Sequence, residues 1–210
     1  MSTVTALHAG KTTEKRVNLY LDGKFAFALD RDDVVREGLT VGLELSGERL
    51  EALMAGLRLT RCLDAAYRFL GYRPRSEAEL RDRLRRRGFL PEHIDAAVAK
   101  LRERGLLDDA AFARFWAENR ATFKPRSRSL TRRELRQKGV PEDVVREAVN
   151  EIDEAESAYR AAAVKASRLT ALEYPELRQR LGDFLRRRGF TYSVIDQTIR
   201  RVWEERRNTP

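Results

Sequence analysis

Arginine is the residue type in this chain that most clearly has chemistry to offer. The arginines gather in short runs that recur along the sequence, and the candidate site consists of these residues: Arg73, Arg75, Arg81, Arg85, Arg86, Arg126, Arg128, Arg132, Arg133, Arg186 and Arg187. A guanidinium stays charged and presents five N–H donors in a planar fork, which suits phosphates and carboxylates. These residues therefore predict the binding of an anionic partner.

Two interpretations of the arginine runs compete. A charged helical face is often only solvated, and this interpretation stays open for Arg85 and Arg86. The return of such a run at Arg186 and Arg187 favours a partner contact instead. Arg73, Arg75 and Arg126 come just before predicted helices, where the backbone places a side chain rigidly, and their position also favours a contact.

The overall charge agrees with an anionic partner. The 210 residues include 42 lysines and arginines against 33 aspartates and glutamates, which gives a formal net charge of +9. A basic excess of this kind predicts binding to a polyanion or to an acidic protein surface.

Other classes of chemistry find little support. Cys62 is the single cysteine, and His8 and His93 are far apart, so we expect no metal site and no cofactor. The sequence shows no nucleophile elbow and no phosphate-binding loop, and we expect neither catalytic residues nor enzymatic activity. It also lacks a long apolar run and the apolar core of a signal peptide, which predicts a cytoplasmic protein without membrane contact.

A tandem repeat organises the elements that must position the arginines. Gly88, Gly139 and Gly189 lie 51 and 50 residues apart, and each is preceded at fixed offsets by a proline and a leucine. Each is also followed by three apolar residues at helical spacing. A glycine after a helical leucine indicates a helix end with a left-handed backbone. Self-similarity at this period is typical of stacked repeats.

Each repeat contains three predicted helices. Around Gly88, the first helix carries Leu63 and Leu70, the second carries Leu80 and Leu84, and the third begins near Pro91. One such unit buries too little apolar surface to be stable alone, whereas stacked units share a core. The predicted fold is therefore mainly α, with three tandem three-helix repeats that form an elongated curved solenoid, preceded by a small N-terminal β-hairpin module.

The region before the repeats has a different period. Alternating apolar residues on either side of Asp22 and Gly23 predict a β-hairpin over residues 16–30. The loop length stays open, because a two-residue and a three-residue loop give different registers. Residues 39–45 alternate as a third strand, and Ser46 begins a helix that leads into the first repeat.

These patterns predict five segments. Residues 1–14 are expected to be a flexible tail, and residues 15–57 a module of a β-hairpin plus a helix. The three repeats then occupy residues 58–105, 106–152 and 153–210.

Helix starts within the repeats carry capping signals. Ser76 and Glu79 have the spacing of a capping box, and Asp108 or Asp109 caps the next helix. Thr131 and Glu134 have the spacing of a second capping box. We therefore expect these residues to fix helix ends rather than to bind a partner.

Four strings in this order and spacing resemble the RecX family: YRPRSEAEL, LRRRGF, GLLDDAAFA and RRELRQKGV. The resemblance covers about residues 58 to 203, and the earlier strings YLDGKFAFAL and GLTVGLEL are similar to an extension that some members carry. It implies a crescent of three-helix repeats that binds the groove of the RecA filament on DNA. The implied activity is mostly inhibitory and limits filament extension, strand exchange, ATPase and coprotease activity in recombination and the SOS response.

The resemblance also implies the partners. The expected partner is the RecA filament, with weak and salt-dependent binding to single- and double-stranded DNA, by a chain that acts as a monomer. The alternative is a direct DNA-binding module or transcription regulator built from helical repeats. These two classes differ in whether RecA is needed for the effect.

Overall fold

The structure is a computed structural model that describes residues 1–10 and 16–208. The chain is mainly helical, with a small antiparallel sheet near its N-terminus. It divides into two compact units. One unit contains Met1–Phe69 and Leu84–Lys100, and the other contains Leu70–Arg83 and the chain from Leu101 onward.

The sheet of the first unit has the strand order β3-β2-β1-β4. Its strands are β1 (Ser2–Ala9), β2 (Arg16–Leu21), β3 (Lys24–Asp30) and β4 (Glu44–Leu45), and two helices belong to the same region, α1 (Arg31–Arg36) and α2 (Gly47–Leu70). Val4, Leu19, Leu29 and Leu45 from the sheet are buried in one cluster with Leu53 of α2. The sheet and α2 therefore share a core, as the apolar alternation of the strands requires.

The predicted hairpin is confirmed, and its register is now defined. Asp22 and Gly23 form a two-residue loop in which both φ angles are positive, +50° and +79°. Such a turn matches the twist of the flanking strands. A register shift next to Leu19 then pairs Leu19 with Phe27 after Tyr20 has paired with Phe25. The bulge therefore allows a short loop while Leu19 stays buried and Phe25 stays exposed.

The expected flexible tail is wrong for residues 2–9. These residues form β1, which pairs with β2 along its length and with β4 at Ser2 and Thr3. The backbone of β1 thus gains hydrogen bonds on both sides, and this long-range pairing outweighs the weak apolar pattern of the segment. The rest of the predicted tail, residues 11–14, lies outside the described residues.

The predicted strand over residues 39–45 is also wrong in extent. Glu44–Leu45 form the strand that pairs with β1, and before them Gly42 and Leu43 make backbone hydrogen bonds to Val4 from a turn. Gly42 has a φ of +91°, and Leu43 donates its N–H to the Thr40 carbonyl, so a turn occupies most of the segment. The apolar alternation arises there because Leu39 is buried from the loop and Leu45 from the short strand β4.

The helix predicted to begin after Ser46 is confirmed, since the Ser46 hydroxyl accepts the Arg49 N–H at 3.1 Å. It continues without interruption as α2 through residue 58, where the first repeat is predicted to begin. The expected joining helix and the first helix of repeat one are therefore a single helix.

The three-helix pattern of the repeats is confirmed. The further helices are α3 (Glu77–Arg86), α4 (Pro91–Glu103), α5 (Asp109–Phe123), α6 (Arg128–Gln137), α7 (Glu142–Asn150), α8 (Glu154–Ala166), α9 (Tyr174–Arg187) and α10 (Tyr192–Asn208). In repeat two, Phe112 of α5 packs with Leu135 of α6 and Val149 of α7. In repeat three, Ala162 of α8 packs with Leu185 of α9 and Ile199 of α10.

Two of the three capping predictions hold. Ser76 and Glu79 exchange the two bonds of a capping box, at 3.1 Å and 3.3 Å, and Asp108 accepts the N–H groups of Ala110 and Ala111. The expected box at Thr131 and Glu134 is wrong. Ser127 caps α6 by accepting the Leu130 N–H at 3.2 Å, so Thr131 lies inside the helix.

Candidate functional site

The start of α3 meets the end of α6, and we call this contact the first joint. It consists of residues 73–79 with Lys138 and Gly139. The Ser76 hydroxyl donates to the Lys138 carbonyl at 2.5 Å while it accepts the Glu79 N–H. Ser76 thus satisfies a helix start in repeat one and a free carbonyl at a helix end in repeat two.

Gly139 completes the first joint for two reasons. Its φ of +73° is a left-handed conformation that other residues adopt with difficulty. A Cβ atom at this position would also overlap the Ala78 side chain. The close approach of α3 to the end of α6 therefore depends on the absence of a side chain at Gly139.

The second joint repeats this arrangement between repeats two and three. It consists of residues 124–130 with the segment 184–189. The Ser127 N–H donates to the Arg188 carbonyl at 3.0 Å, and the Arg188 guanidinium donates to the Pro125 carbonyl at 2.9 Å. A Cβ at Gly189, where φ is +84°, would lie 2.5 Å from the Ser127 hydroxyl oxygen. Ser127 and Gly189 thus correspond to Ser76 and Gly139.

An acidic residue in the first turn of the following repeat's first helix supports each joint. The Glu77 N–H donates to the Asp109 carboxylate at 2.9 Å, and the Arg128 N–H donates to the Glu154 carboxylate at 3.1 Å. Burial raises the pKa of Asp109, and the bond from Glu77 only partly opposes this effect. Both helix starts therefore have a backbone donor satisfied from the following repeat.

A carboxylate offsets part of the positive charge of the first joint. Glu79 accepts from the Arg73 guanidinium at 3.1 Å and from the Lys138 ammonium at 2.8 Å. Burial raises the pKa of Glu79, but the bonds from Lys138 and Arg73 outweigh it, and the net pKa is lowered. The pKa of Arg75 is also lowered, by burial and by the charge of Arg73. Glu79 is the carboxylate whose charge opposes those of Arg73, Arg75 and Lys138.

A second carboxylate, Glu134, neutralises the start of α6. It accepts from the Trp116 indole N–H at 2.9 Å and from Arg120 at 2.7 Å, and it forms an ion pair with Arg126. Arg120 and Lys138 also lie over the Trp116 ring, at 4.5 Å and 4.2 Å from its centre. Trp116 therefore packs within a charged cluster, where cation–π attraction adds to the ion pairs.

Several candidate arginines bind groups of the protein itself. Arg81 pairs with Glu77 at 2.7 Å, and Arg186 pairs with Asp183 at 2.8 Å. Arg128 donates to the carbonyls of Ile152 and Asn150 at 2.7 Å and 3.3 Å, so it satisfies the end of α7. Of these residues only Arg128 reaches a helix end in another part of the chain, whereas the pairs of Arg81 and Arg186 each lie within one helix.

The remaining candidates differ in exposure. Arg132 is half-buried, and its Nε has no hydrogen-bond partner among the described residues. Arg85, Arg86, Arg133 and Arg187 are exposed. Of these four, Arg85, Arg133 and Arg187 form no ion pair with any residue in 1–10 or 16–208.

Sequence reasoning missed several residues that build the joints. Lys138 and Arg188 each come directly before the glycine that ends a second helix, and Lys124 lies at the repeat position of Arg73. An alignment of the repeats shows these cations at equivalent positions, but they become evident only when the charges at those positions are compared. The contact between Glu134 and Trp116 could not be found in this way, because the other repeats do not have the same residues at these two positions.

Two other features are absent from the described part of the chain. No group of three histidine, cysteine or acidic residues there is placed to hold a metal ion. No helix there combines the length and the apolarity that a membrane span requires.

Family models match the chain in four consecutive segments. The model of the Regulatory protein RecX N-terminal domain matches residues 2–46. The models of the first, second and third three-helix domains of RecX match residues 62–101, 108–149 and 151–199.

Individual relatives agree with the family models. The Regulatory protein RecX of Chlorobaculum tepidum is 38% identical over 143 residues, which cover 68% of this chain and 89% of the relative. That of Bacillus subtilis is 28% identical over 205 residues, which cover 96% of this chain and 78% of the relative.

Solved structures show the same fold. A crystal structure of regulatory protein RecX superposes with a TM-score of 0.68 at 24% identity and covers 94% of this chain and 98% of that one. The structure of RecX from Lactobacillus salivarius superposes with a TM-score of 0.60 at 22% identity, covering 69% of this chain and 96% of the other.

Proposed function

The chain belongs to the RecX family of regulatory proteins, and from this premise we propose that it regulates the RecA recombinase, mostly as an inhibitor. The observation that carries the proposal is the match of the family models to the N-terminal sheet and to all three repeats. In this proposal the chain binds the groove of the RecA filament on DNA. It thereby limits filament extension, strand exchange, ATP turnover and coprotease activity, as a cytoplasmic monomer.

The charge of the protein supports a partner of this kind. A recombinase filament on DNA carries phosphates along its length, and the chain has a formal net charge of +9. The main-chain bond of the second joint holds repeats two and three together, so their cations lie at fixed spacing there. Several weak contacts made at once from such an array give a higher affinity than any one of them.

The ion pairs change which arginines we propose as partner contacts. Arg73 and Arg126 already bind Glu79 and Glu134, so we propose that they maintain the joints. The contacts to the filament are assigned instead to exposed side chains such as Arg85, Arg133 and Arg187. Charge reversal at Arg73 or Arg126 would therefore test folding and binding together, whereas substitution of an exposed arginine tests binding.

The experiment is a titration of purified chain into RecA filaments on single-stranded DNA, with ATP turnover and strand exchange as readouts. We expect inhibition at amounts far below those that cover the DNA, because one molecule acts on a filament of many subunits. The proposal fails if the chain slows neither reaction.

A second candidate is a nucleic-acid-binding module that acts without RecA. The exposed cations of the second joint, Lys124 and Arg187, favour this candidate, because neither forms an ion pair within the described residues. The same titration separates the two candidates. Inhibition that follows DNA coverage alone supports the second, and inhibition at low occupancy supports the first.

A further inference from the structure

The second joint contains a cavity of about 480 Å³ with an unusual lining. Lys124, Arg126, Arg187 and Arg188 surround it, and Leu130 and Phe184 form its apolar part. The lining therefore includes four cationic residues and no acidic one.

Only part of this positive charge is neutralised within the protein. Arg126 pairs with Glu134, and Arg188 donates to a carbonyl and lies 4.4 Å from the centre of the Phe184 ring. Burial lowers the pKa of Arg188, and the neighbouring charge of Arg126 lowers it further. Lys124 and Arg187 form no ion pair with residues 1–10 or 16–208. The cavity thus concentrates cations that repel one another.

The second joint lacks the glutamates that the equivalent earlier positions of the chain contain. Leu130 lies 51 residues after Glu79, and Phe184 lies 50 residues after Glu134, so apolar side chains replace both glutamates of the earlier repeat positions. In the first joint, Glu79 accepts from both Arg73 and Lys138. The equivalents of those two cations, Lys124 and Arg188, have no such carboxylate in the second joint.

We infer that this cavity is a binding site for the phosphates of a DNA strand. The inference deepens the proposed function and rests on it, because a RecA filament contains such a strand. Lys124 and Arg187 are free to bind phosphate oxygens with charge-assisted hydrogen bonds. Leu130 and Phe184 offer an apolar surface to the adjoining sugar or base.

The charge of the cavity favours a strand over an acidic side chain of a protein. A strand carries one negative charge per nucleotide, so successive phosphates neutralise more than one cation. A single carboxylate carries one charge and brings no apolar group to Leu130 and Phe184. The combination of clustered cations with an apolar wall is the chemistry of single-strand binding sites.

The test measures the affinity of the full chain for a fluorescent single-stranded oligothymidylate by anisotropy, over a range of salt concentrations. The double variant Lys124→Gln with Arg187→Gln removes the two unpaired cations, and Gln also occupies position 137, the first-joint equivalent of Arg187. The matched control is Arg146→Gln, an exposed arginine of α7 that does not line the cavity.

We expect the double variant to bind about tenfold more weakly, since it loses two charge-assisted hydrogen bonds. Its log–log salt slope becomes shallower by about 1.4, because each phosphate contact to a single strand contributes about 0.7. The control changes affinity by less than about twofold. The unfolding temperature of the double variant should not fall below those of the parent and the control, since neither Lys124 nor Arg187 holds an ion pair in the fold and their removal relieves charge repulsion.

Inhibition of RecA ATP turnover is measured with the same proteins, so that failure of the DNA-binding site can be distinguished from failure of the proposed regulation of RecA. A double variant that binds the oligonucleotide as tightly as the parent overturns the inference. Unchanged DNA affinity with lost inhibition also overturns it and assigns the cavity to an acidic protein surface. Weakened DNA binding by the variant, when the parent itself does not slow RecA, supports the site and removes the proposed function.

Discussion

The two joints use one backbone geometry for two different charge arrangements. In both, a serine at a helix start bonds to the residue before a glycine whose Cβ would collide with the preceding repeat. In the first joint, Glu79 pairs with Arg73 and Lys138 and offsets one of their two charges, whereas the second has Leu130 at that position. The repeat therefore preserves the contact between helices while the side chains beside it are free to change role.

This difference teaches how a repeat protein separates stability from binding. A carboxylate within a cation cluster stabilises the folded chain and leaves little charge for a partner. Cations without a carboxylate repel one another in the free protein, and an external anion relieves the repulsion. We therefore expect substitutions at the first joint to act mainly on stability and those at the second to act mainly on binding.

The largest expected effect comes from the glycines that both joints share. Gly139→Ala and Gly189→Ala should each lower the free energy of unfolding by about 3 kcal/mol, from the left-handed backbone plus overpacking against Ala78 or Ser127. Gly88→Ala should lower it by only about 1 kcal/mol. Gly88 has a similar φ of +82°, but nothing lies within 4 Å of its added Cβ. Urea unfolding of the three variants measures these differences.

Equal losses for all three alanine variants would contradict the joint geometry. Such a result would mean that the left-handed backbone alone accounts for the glycines. The close approach of the preceding repeat would then contribute nothing measurable at Gly139 and Gly189.

Removal of the carboxylate from the first joint should have a smaller effect. Glu79→Gln leaves Arg73 and Lys138 without their anion, and we expect a loss of about 1 kcal/mol in unfolding free energy, because the ion pairs are half-buried and partly screened by solvent. The matched control is Glu147→Gln, an exposed glutamate on α7. Equal unfolding curves for the two variants would show that the ion cluster is not stabilising.

The stability of the first joint should also depend on pH. Because the folded pKa of Glu79 is lowered, its contribution is present above the pKa of an unfolded glutamate, about 4.3, and is lost as the pH falls through the folded value. The difference in unfolding free energy between the parent and Glu79→Gln should therefore shrink on acidification. A difference that stays constant down to low pH would exclude Glu79 as the titrating group.

The sequence predicted those features that depend on local spacing. The glycines at the ends of the second helices, the capping box of Ser76 and Glu79, and the hairpin turn all follow from short-range rules. β1 could not be predicted, because its partners β2 and β4 supply the hydrogen bonds that its own residues do not signal. Leu43 similarly continues an apolar alternation that the positive φ of Gly42 interrupts.

The sequence could predict the chemical class of the partner but not which individual residues contact it. Arginine density indicated an anionic partner, yet it could not separate Arg126, which pairs with Glu134, from Arg187, which is exposed. The missing information is which charges meet in space, within a repeat as for Arg126 or across repeats as for Glu79. Once the joints are known, the replacement of Glu79 by Leu130 at the equivalent position becomes informative.

The most direct test of the account transfers the glutamate of the first joint into the second. In Leu130→Glu, the new carboxylate should pair with Lys124 and Arg188, as Glu79 pairs with Arg73 and Lys138. Leu130→Gln is the matched control, since a glutamine side chain has nearly the same shape as a glutamate but carries no charge. The measurements are the affinity for single-stranded DNA and the free energy of unfolding of each variant.

For Leu130→Glu, the account predicts opposite changes in the two quantities. DNA binding should weaken about tenfold through charge repulsion and competition for the cations, while the unfolding free energy rises by about 0.5 kcal/mol. Leu130→Gln should keep most of its affinity. Parental DNA affinity in a folded Leu130→Glu chain would contradict the account.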